Sequence, residues 1–117
     1  MEHTYLLGYI DFNKTGGRKT FPVTAEVKFN PDDDCLTVIG NVVSPKTTNA
    51  VLSGDILDQL KDIAPELFLD SRNALIAELW SKYQARDFTL PAIPEDDREK
   101  IKLVAQGKIY KALVYTI

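Results

Sequence analysis

The apolar residues of this chain change their spacing near Ser53, and that change limits the folds open to it. Between Phe21 and Phe29 every second residue is apolar, which is typical of a half-buried antiparallel strand. After Ser53 the apolar residues recur every three or four positions, which is typical of amphipathic helices. A sheet face and a helix stripe both have to be buried, and each can cover the other. The pattern therefore predicts an α+β fold, an antiparallel sheet with two to three helices packed on one face.

The N-terminal half is expected to form a three-stranded meander. Its strands are predicted around residues 4–12, 20–29 and 36–43. Leu6, Ile10 and Phe12 are expected to share one face of the first strand, because side chains alternate between the two faces. The second strand is expected to pair only after Pro22, since proline has no N–H to donate to a ladder.

The C-terminal segment 109–117 is rich in β-forming residues and predicts a fourth strand that closes the sheet. A helix running through Gly107 to Tyr115 is the alternative. As an edge strand, this segment could pair with a second copy across a two-fold axis, so a homodimer is one expected form of the protein.

Three helices are predicted between these strands. Ser53 is expected to cap the first helix, and Pro65 is expected to end or kink it. The second helix is expected to be capped by Asp70 or Ser71, and the third to begin after Pro94 with a run of acidic residues. The second helix carries an apolar stripe that is expected to face the core, formed by Ala74, Leu75, Leu79, Trp80 and Tyr83.

Length and composition indicate the number of domains and argue against membrane and disulfide-bonded proteins. A chain of 117 residues predicts a single domain spanning residues 1–117. No apolar run approaches the length of about 20 residues that spans a bilayer, and the N-terminus lacks the basic region of a signal peptide. Cys35 is the single cysteine, so no internal disulfide can form. These features predict a cytoplasmic protein that does not act at a membrane.

The side chains that usually carry catalysis are scarce. His3 is the single histidine, which argues against a Ser-His-Asp site and against a zinc site of Cys and His ligands. The run Asp32-Asp33-Asp34 is interpreted as a polar hairpin turn, with divalent-cation binding as the alternative. We therefore predict no catalytic residue, no metal ligand and no cofactor, and keep a small metal-dependent hydrolase as an alternative function.

Charge is distributed unevenly along the chain. Residues 31–70 carry eight acidic residues against two basic ones, whereas residues 71–117 carry eight basic residues against six acidic ones. A nucleic-acid-binding function would need a concentrated basic face. The best candidates for such a face are Arg98, Lys100, Lys102, Lys108 and Lys111. Nucleic acid is thus an alternative partner that the charge balance does not favour.

A protein-binding surface is predicted on the helix 71–86 and on the connector that follows it, residues 88–94. Aromatic residues together with arginine are the residues that dominate binding energy at protein interfaces. The proposed contact residues are Arg72, Lys82, Tyr83, Arg86 and Phe88. A second, acidic stripe on the first helix, made of Asp55, Asp58 and Asp62, is expected to steer a basic partner. The alternative is that the aromatic rings are buried and the charges only solvate the helices.

Several short motifs resemble those of a family of small uncharacterised proteins encoded by phages and prophages. The first is Leu36-Thr-Val-Ile-Gly40-Asn-Val42, and Ser53-Gly54-Asp55-Ile-Leu57-Asp58 follows. Pro65-Glu66 and the spaced motif Trp80-x-x-Tyr83-x-x-x-Asp87 complete the pattern. In the family pattern, glutamine stands where this chain has Asp55, and histidine and asparagine stand where it has Gln84 and Arg86. The resemblance implies a phage or prophage origin and a place in the host cytoplasm, and it implies no catalytic residue.

Taken with the missing catalytic set, these features predict a non-enzymatic accessory protein that acts by binding a protein partner. The partner expected for a phage-encoded protein is a host factor or a component of host defence.

Overall fold

A computed structural model of the chain describes residues 2–14, 17–44, 54–69 and 73–116, without the side chains of residues 12–14, 17–19, 54–57 and 69. Its elements follow the chain in this order: β1 (Glu2–Lys14), β2 (Gly17–Asn30), β3 (Cys35–Ser44), α1 (Gly54–Leu69), α2 (Ala74–Gln84), α3 (Glu95–Val104) and β4 (Lys108–Thr116).

The four strands form one antiparallel sheet in the order β1-β2-β3-β4, with the helices against it. This arrangement confirms the predicted α+β fold. The C-terminal segment is a strand that pairs with β3 from Thr37 opposite Thr116 to Ser44 opposite Lys108. The helical alternative for this segment is therefore wrong, because its backbone is held in the ladder of β3.

The alternation along β2 is the part of the core that the sequence predicts best. Phe21, Val23, Ala25 and Val27 are all buried, and Phe29 is half-buried against the same cluster. The prediction that pairing starts after Pro22 is wrong, since β2 pairs with β1 from Gly17 onward. Pairing with β3 begins only after Pro22, so this proline has a single neighbouring strand, which is where a sheet tolerates it.

The predicted inner face of β1 is wrong because the strand contains a β-bulge. The register with β2 shifts between Leu6 and Gly8, and an extra residue in one strand reverses which face the following side chains occupy. Tyr5 is therefore buried before the bulge and Ile10 after it, whereas Leu6 is only half-buried. Tyr5 also donates a hydrogen bond from its hydroxyl to the carbonyl of Pro91 at 2.6 Å.

Helix α1 packs on the sheet through Phe68, and Pro65 does not end it. The helix continues through Pro65 to Leu69, because Ala64 and Phe68 on either side of the proline are completely buried. A Cβ atom at Gly40 of β3 would lie 2.3 Å from the Phe68 ring. The ring thus packs directly on the backbone of β3, at a position where only glycine fits.

Helix α2 is capped by Asn73, which follows the predicted caps Asp70 and Ser71 by three and two residues. The Asn73 side-chain oxygen accepts hydrogen bonds from the backbone N–H groups of Leu75 (3.1 Å) and Ile76 (3.4 Å). Its amide nitrogen donates to the carbonyl of Leu67 at 2.8 Å. Asn73 is favoured as the cap because its one side chain caps α2 and also donates to a carbonyl at the end of α1. The predicted caps Ser53, Asp70 and Ser71 lie outside the described residues.

Helix α3 begins directly after Pro94 with Glu95, Asp96 and Asp97 in its first turn, as predicted, and packs along β1. None of its ten side chains is fully buried. Across the described parts of α1, α2 and α3, no helix is both long and apolar enough to cross a membrane.

Candidate functional site

The end of α2 is held by a Schellman-type cap with arginine at the position that glycine usually takes. The N–H of Arg86 donates to the carbonyl of Tyr83 (3.0 Å), and the N–H of Asp87 donates to that of Lys82 (2.9 Å). Arg86 has a φ of 56°, which is the left-handed conformation such a cap requires. That conformation strains an L-residue with a side chain.

A chain of four aromatic rings runs from the sheet to the surface beside this cap. Phe88 stacks on Phe29 of β2 with ring centroids 4.5 Å apart. Tyr83 meets Phe88 edge-on at 6.5 Å, and Trp80 lies 5.9 Å from Tyr83. Phe29, Tyr83 and Phe88 are half-buried against the core. The three inner rings therefore support the ring of Trp80, which is the outermost of the four.

Trp80 itself is half exposed, with 51% of its surface open to solvent, so its predicted place in the core is wrong. Leu79 is the fully buried residue of α2. The next residue along a helix is rotated by about 100°, which carries Trp80 to the rim of the packed face. Ala74, also predicted for this stripe, is exposed, and Leu75 is half-buried.

Among the described residues, the charged groups around the cap are one ion pair, Lys82 with Asp87, and one cation, Arg86, that forms no ion pair. Lys82 forms an ion pair with Asp87 at 3.4 Å. Asp87 also accepts hydrogen bonds from the hydroxyl (2.6 Å) and the N–H (3.0 Å) of Thr89. These bonds, with the Lys82 ammonium, hold the pKa of the Asp87 carboxyl below its ordinary value. The Arg86 guanidinium lies 5.9 Å from the centre of the Tyr83 ring, a cation–π contact, and it forms no ion pair within the described part of the chain.

We call Trp80, Tyr83, Arg86 and Phe88 the aromatic–arginine surface. Of the predicted partner-binding residues, the structure brings Tyr83, Arg86 and Phe88 together here and places Lys82 beside them in its pair with Asp87. Arg72 lies outside the described residues. Phe29 and Trp80 were not among the predicted contact residues. The alternation along β2 marks Phe29 as inward-facing, but no local signal indicates that Phe88 stacks on it.

The predicted acidic stripe lies apart from this surface. Asp58 and Asp62 are exposed on α1, one turn apart, and Glu66 extends the row by another turn. No hydrogen bond or ion pair among the described residues joins these two aspartates to α2. The backbone of Asp55 belongs to the first turn of α1, and its side chain lies outside the description.

The candidate residues for the two alternative functions are dispersed. The three basic residues of α3 share that helix with four acidic ones, and Lys102 pairs with Glu99 at 3.5 Å. Asp32, Asp33 and Asp34 form an exposed turn. Within the described ranges, no three His, Cys, Asp or Glu side chains lie close enough together to hold a metal ion.

No protein-family model, curated protein or solved structure matches this chain. What it does has to be inferred from its own side chains.

Proposed function

We propose that this chain is a non-enzymatic accessory protein of a phage or prophage that binds a protein partner through the aromatic–arginine surface. The observation that carries the proposal is Trp80, a half-exposed indole supported by a stack of rings that ends on β2. Tryptophan, tyrosine and arginine are the residues that most often dominate binding energy at protein interfaces.

The support beneath Trp80 favours binding because little side-chain freedom remains to be lost. An interface residue that is immobilised on binding costs about 0.5–1.5 kcal/mol of entropy. Trp80 stands on a helix, against Tyr83, and Tyr83 is itself packed on Phe88. Much of that ordering cost is therefore met when the chain folds.

Arg86 supports the proposal through its backbone. A side chain in the left-handed conformation costs roughly 1 kcal/mol relative to glycine, and glycine would serve the cap equally well. Strained residues concentrate at binding sites, where the side chain repays the strain. We infer that Arg86 is used for its guanidinium.

The charge pattern favours an acidic partner surface. Lys82 is neutralised by Asp87, whereas Arg86 forms no ion pair among the described residues. An interface is specific when potentials of opposite sign meet. We therefore expect the partner to present a carboxylate beside an apolar hollow that receives the indole.

The proposed phage or prophage origin rests on the motif resemblance. The last of those motifs, Trp80-x-x-Tyr83-x-x-x-Asp87, overlaps the aromatic–arginine surface. Trp80 and Tyr83 belong to the surface, and Asp87 orders the turn that follows it through Thr89. Such a protein would work in the host cytoplasm on a host factor or a defence component.

The test places a photo-crosslinking amino acid at Ser81, an exposed position beside Trp80, mixes the protein with bacterial lysate and then irradiates the mixture. A defined protein adduct is expected, and it should weaken about tenfold or more in Trp80→Ala and in Arg86→Gly. Arg86→Gly also relieves the backbone strain, so its loss of binding could not be attributed to unfolding.

The matched control is Leu103→Ala, which removes an apolar side chain from α3 that is more exposed than Trp80 (65% against 51%). It should leave the Ser81 adduct unchanged. An adduct that forms equally in the parent, Trp80→Ala and Arg86→Gly would exclude this surface as the interface.

A further inference from the structure

A second surface, independent of the aromatic–arginine surface, lies between α3 and the start of β1. It is an open groove with a volume of about 430 Å³, within the range of small-molecule sites. The groove is lined by His3, Ala92, Ile93, Arg98, Ile101 and Lys102. It exists because α3 packs along β1 without burying any side chain completely, so space remains between the helix and the connector.

The groove has an apolar floor. Ile93 and Ile101 are half-buried, and each leaves part of its side chain facing the space between α3 and the connector. Ala92 adds a short apolar wall. Such a floor favours an aliphatic or aromatic body and excludes a purely ionic ligand, because burying apolar surface is the main source of affinity there.

The rim of the groove is cationic. Arg98 and Lys102 are four residues apart and so lie on the same side of α3, and His3 faces them from β1. The Nδ1 of His3 lies 3.0 Å from the carbonyl oxygen of Glu2, which leaves Nε2 open to a ligand. Glu99 pairs with Lys102, but both side chains are more than 70% exposed, and exposed pairs of this kind contribute little.

Carboxylates also rim a neighbouring cavity, and one of them, Asp97, directly precedes Arg98 on α3. That cavity has a volume of about 210 Å³ and is rimmed by Glu78 and Asp97. It shares only Ala92 and Ile93 with the groove. The cavity therefore has an acidic rim and the groove a basic one, and the sign of charge selects between them.

From this arrangement we propose that the groove binds a small monocarboxylate with an apolar tail. The carboxylate lies between Arg98 and Lys102, across the groove from His3. Charge-assisted hydrogen bonds of this kind are stronger than neutral ones. The tail lies along Ile93 and Ile101. This site needs no protein partner and does not depend on the function proposed above.

The test uses three probes of equal tail length: octanoate, octylammonium and octanol. Each is titrated into the full chain below its aggregation concentration, and backbone amide chemical shifts are recorded. Octanoate is expected to shift the amides of His3, Ile93 and Ile101 in a saturable manner. Octylammonium should leave these amides unshifted, and octanol should bind at least about tenfold more weakly.

Variants separate this site from general hydrophobic binding. Arg98→Gln with Lys102→Gln should weaken octanoate binding about tenfold or more. The control, Lys100→Gln with Lys111→Gln, removes the same charge from exposed positions outside the groove and should retain parental affinity. Equal binding of octanoate and octylammonium, equal affinity in both double variants, or shifts that appear only with aggregated probe would each overturn the proposal.

Discussion

At the scale of single residues, the contact between Gly40 and Phe68 makes the sharpest demand on the sequence. Atoms of the Phe68 ring lie between 2.3 and 2.8 Å from where a Cβ of residue 40 would be, and both residues are buried. We expect Gly40→Ala to lower the free energy of unfolding by about 3 kcal/mol, because overpacking displaces either the ring or the strand. Urea denaturation measures the change.

Two further variants test whether the Phe68 ring causes the loss of stability in Gly40→Ala. Gly8→Ala adds the same methyl group to β1, where it would meet only Leu67 at 3.9 Å, so stability should change by less than about 0.5 kcal/mol. In a Phe68→Leu background, Gly40→Ala should cost less than about 1 kcal/mol, since the ring that opposes it is gone. An unchanged cost in that background would show that the clash with Phe68 is not the reason.

Some features of the candidate site can be predicted from local sequence, and others depend on tertiary packing. The sequence predicts that Tyr83, Arg86 and Phe88 belong to one surface, because they lie near each other along the chain. It cannot place Arg86 in the left-handed conformation, since the usual glycine signal for that cap is absent. It also mistakes Trp80 for a core residue, because a helical stripe defines a face only to within about one residue.

At the scale of elements, the junction of α1 and α2 depends on Asn73. Its side chain accepts two bonds from the first turn of α2 and donates one to Leu67 of α1. Asn73→Ala should lower the free energy of unfolding by about 1–2 kcal/mol, because the cap is lost and the Leu67 carbonyl loses its donor. Thermal and urea unfolding both report it.

Asn73→Asp distinguishes the two roles of this side chain. Aspartate keeps the capping oxygen and suits the positive end of the helix dipole, but it cannot donate to Leu67. We expect its cost to be less than half that of alanine. If aspartate and alanine destabilise equally, then the bond to α1 dominates and the cap contributes little.

At the scale of the whole molecule, two tyrosines, the buried Tyr5 and the half-buried Tyr115, link folding to alkaline pH. Burial raises the pKa of Tyr5, with a further contribution from the Glu78 charge, and burial raises the pKa of Tyr115, in each case to about 12. In the unfolded chain both ionise near pH 10. Between about pH 10 and 12 the unfolded state therefore holds fewer protons than the folded state, so stability falls as pH rises through this window.

Tyr115→Phe tests this linkage. Urea midpoints measured from pH 8 to 11.5 should fall less steeply in the variant than in the parent, whereas Tyr9→Phe, at a half-exposed position, should leave the slope unchanged. At neutral pH, Tyr115→Phe should be neutral or stabilising by about 1 kcal/mol, because the Tyr115 hydroxyl is buried and has no partner among the described residues. A parental slope in Tyr115→Phe would contradict this account.

The sequence by itself determined the fold class, the three-stranded meander of β1, β2 and β3, the buried face of β2 and the start of α3. Each follows from interactions between residues that are close in the chain: the two-residue period of a strand, the three-to-four-residue period of a helix, and proline followed by acids at a helix start. Only the tertiary structure decided the bulge in β1, the passage of α1 through Pro65, the cap at Asn73 and the exposure of Trp80. In α1 and α2, contacts between elements outweigh a local preference of about 1–3 kcal/mol: the burial of Phe68 against Gly40 carries α1 through Pro65, and the bond to Leu67 favours the cap at Asn73. The aromatic–arginine surface depends on both, because α2 and its connector supply neighbouring residues while Phe29, far away in the chain, holds them in place.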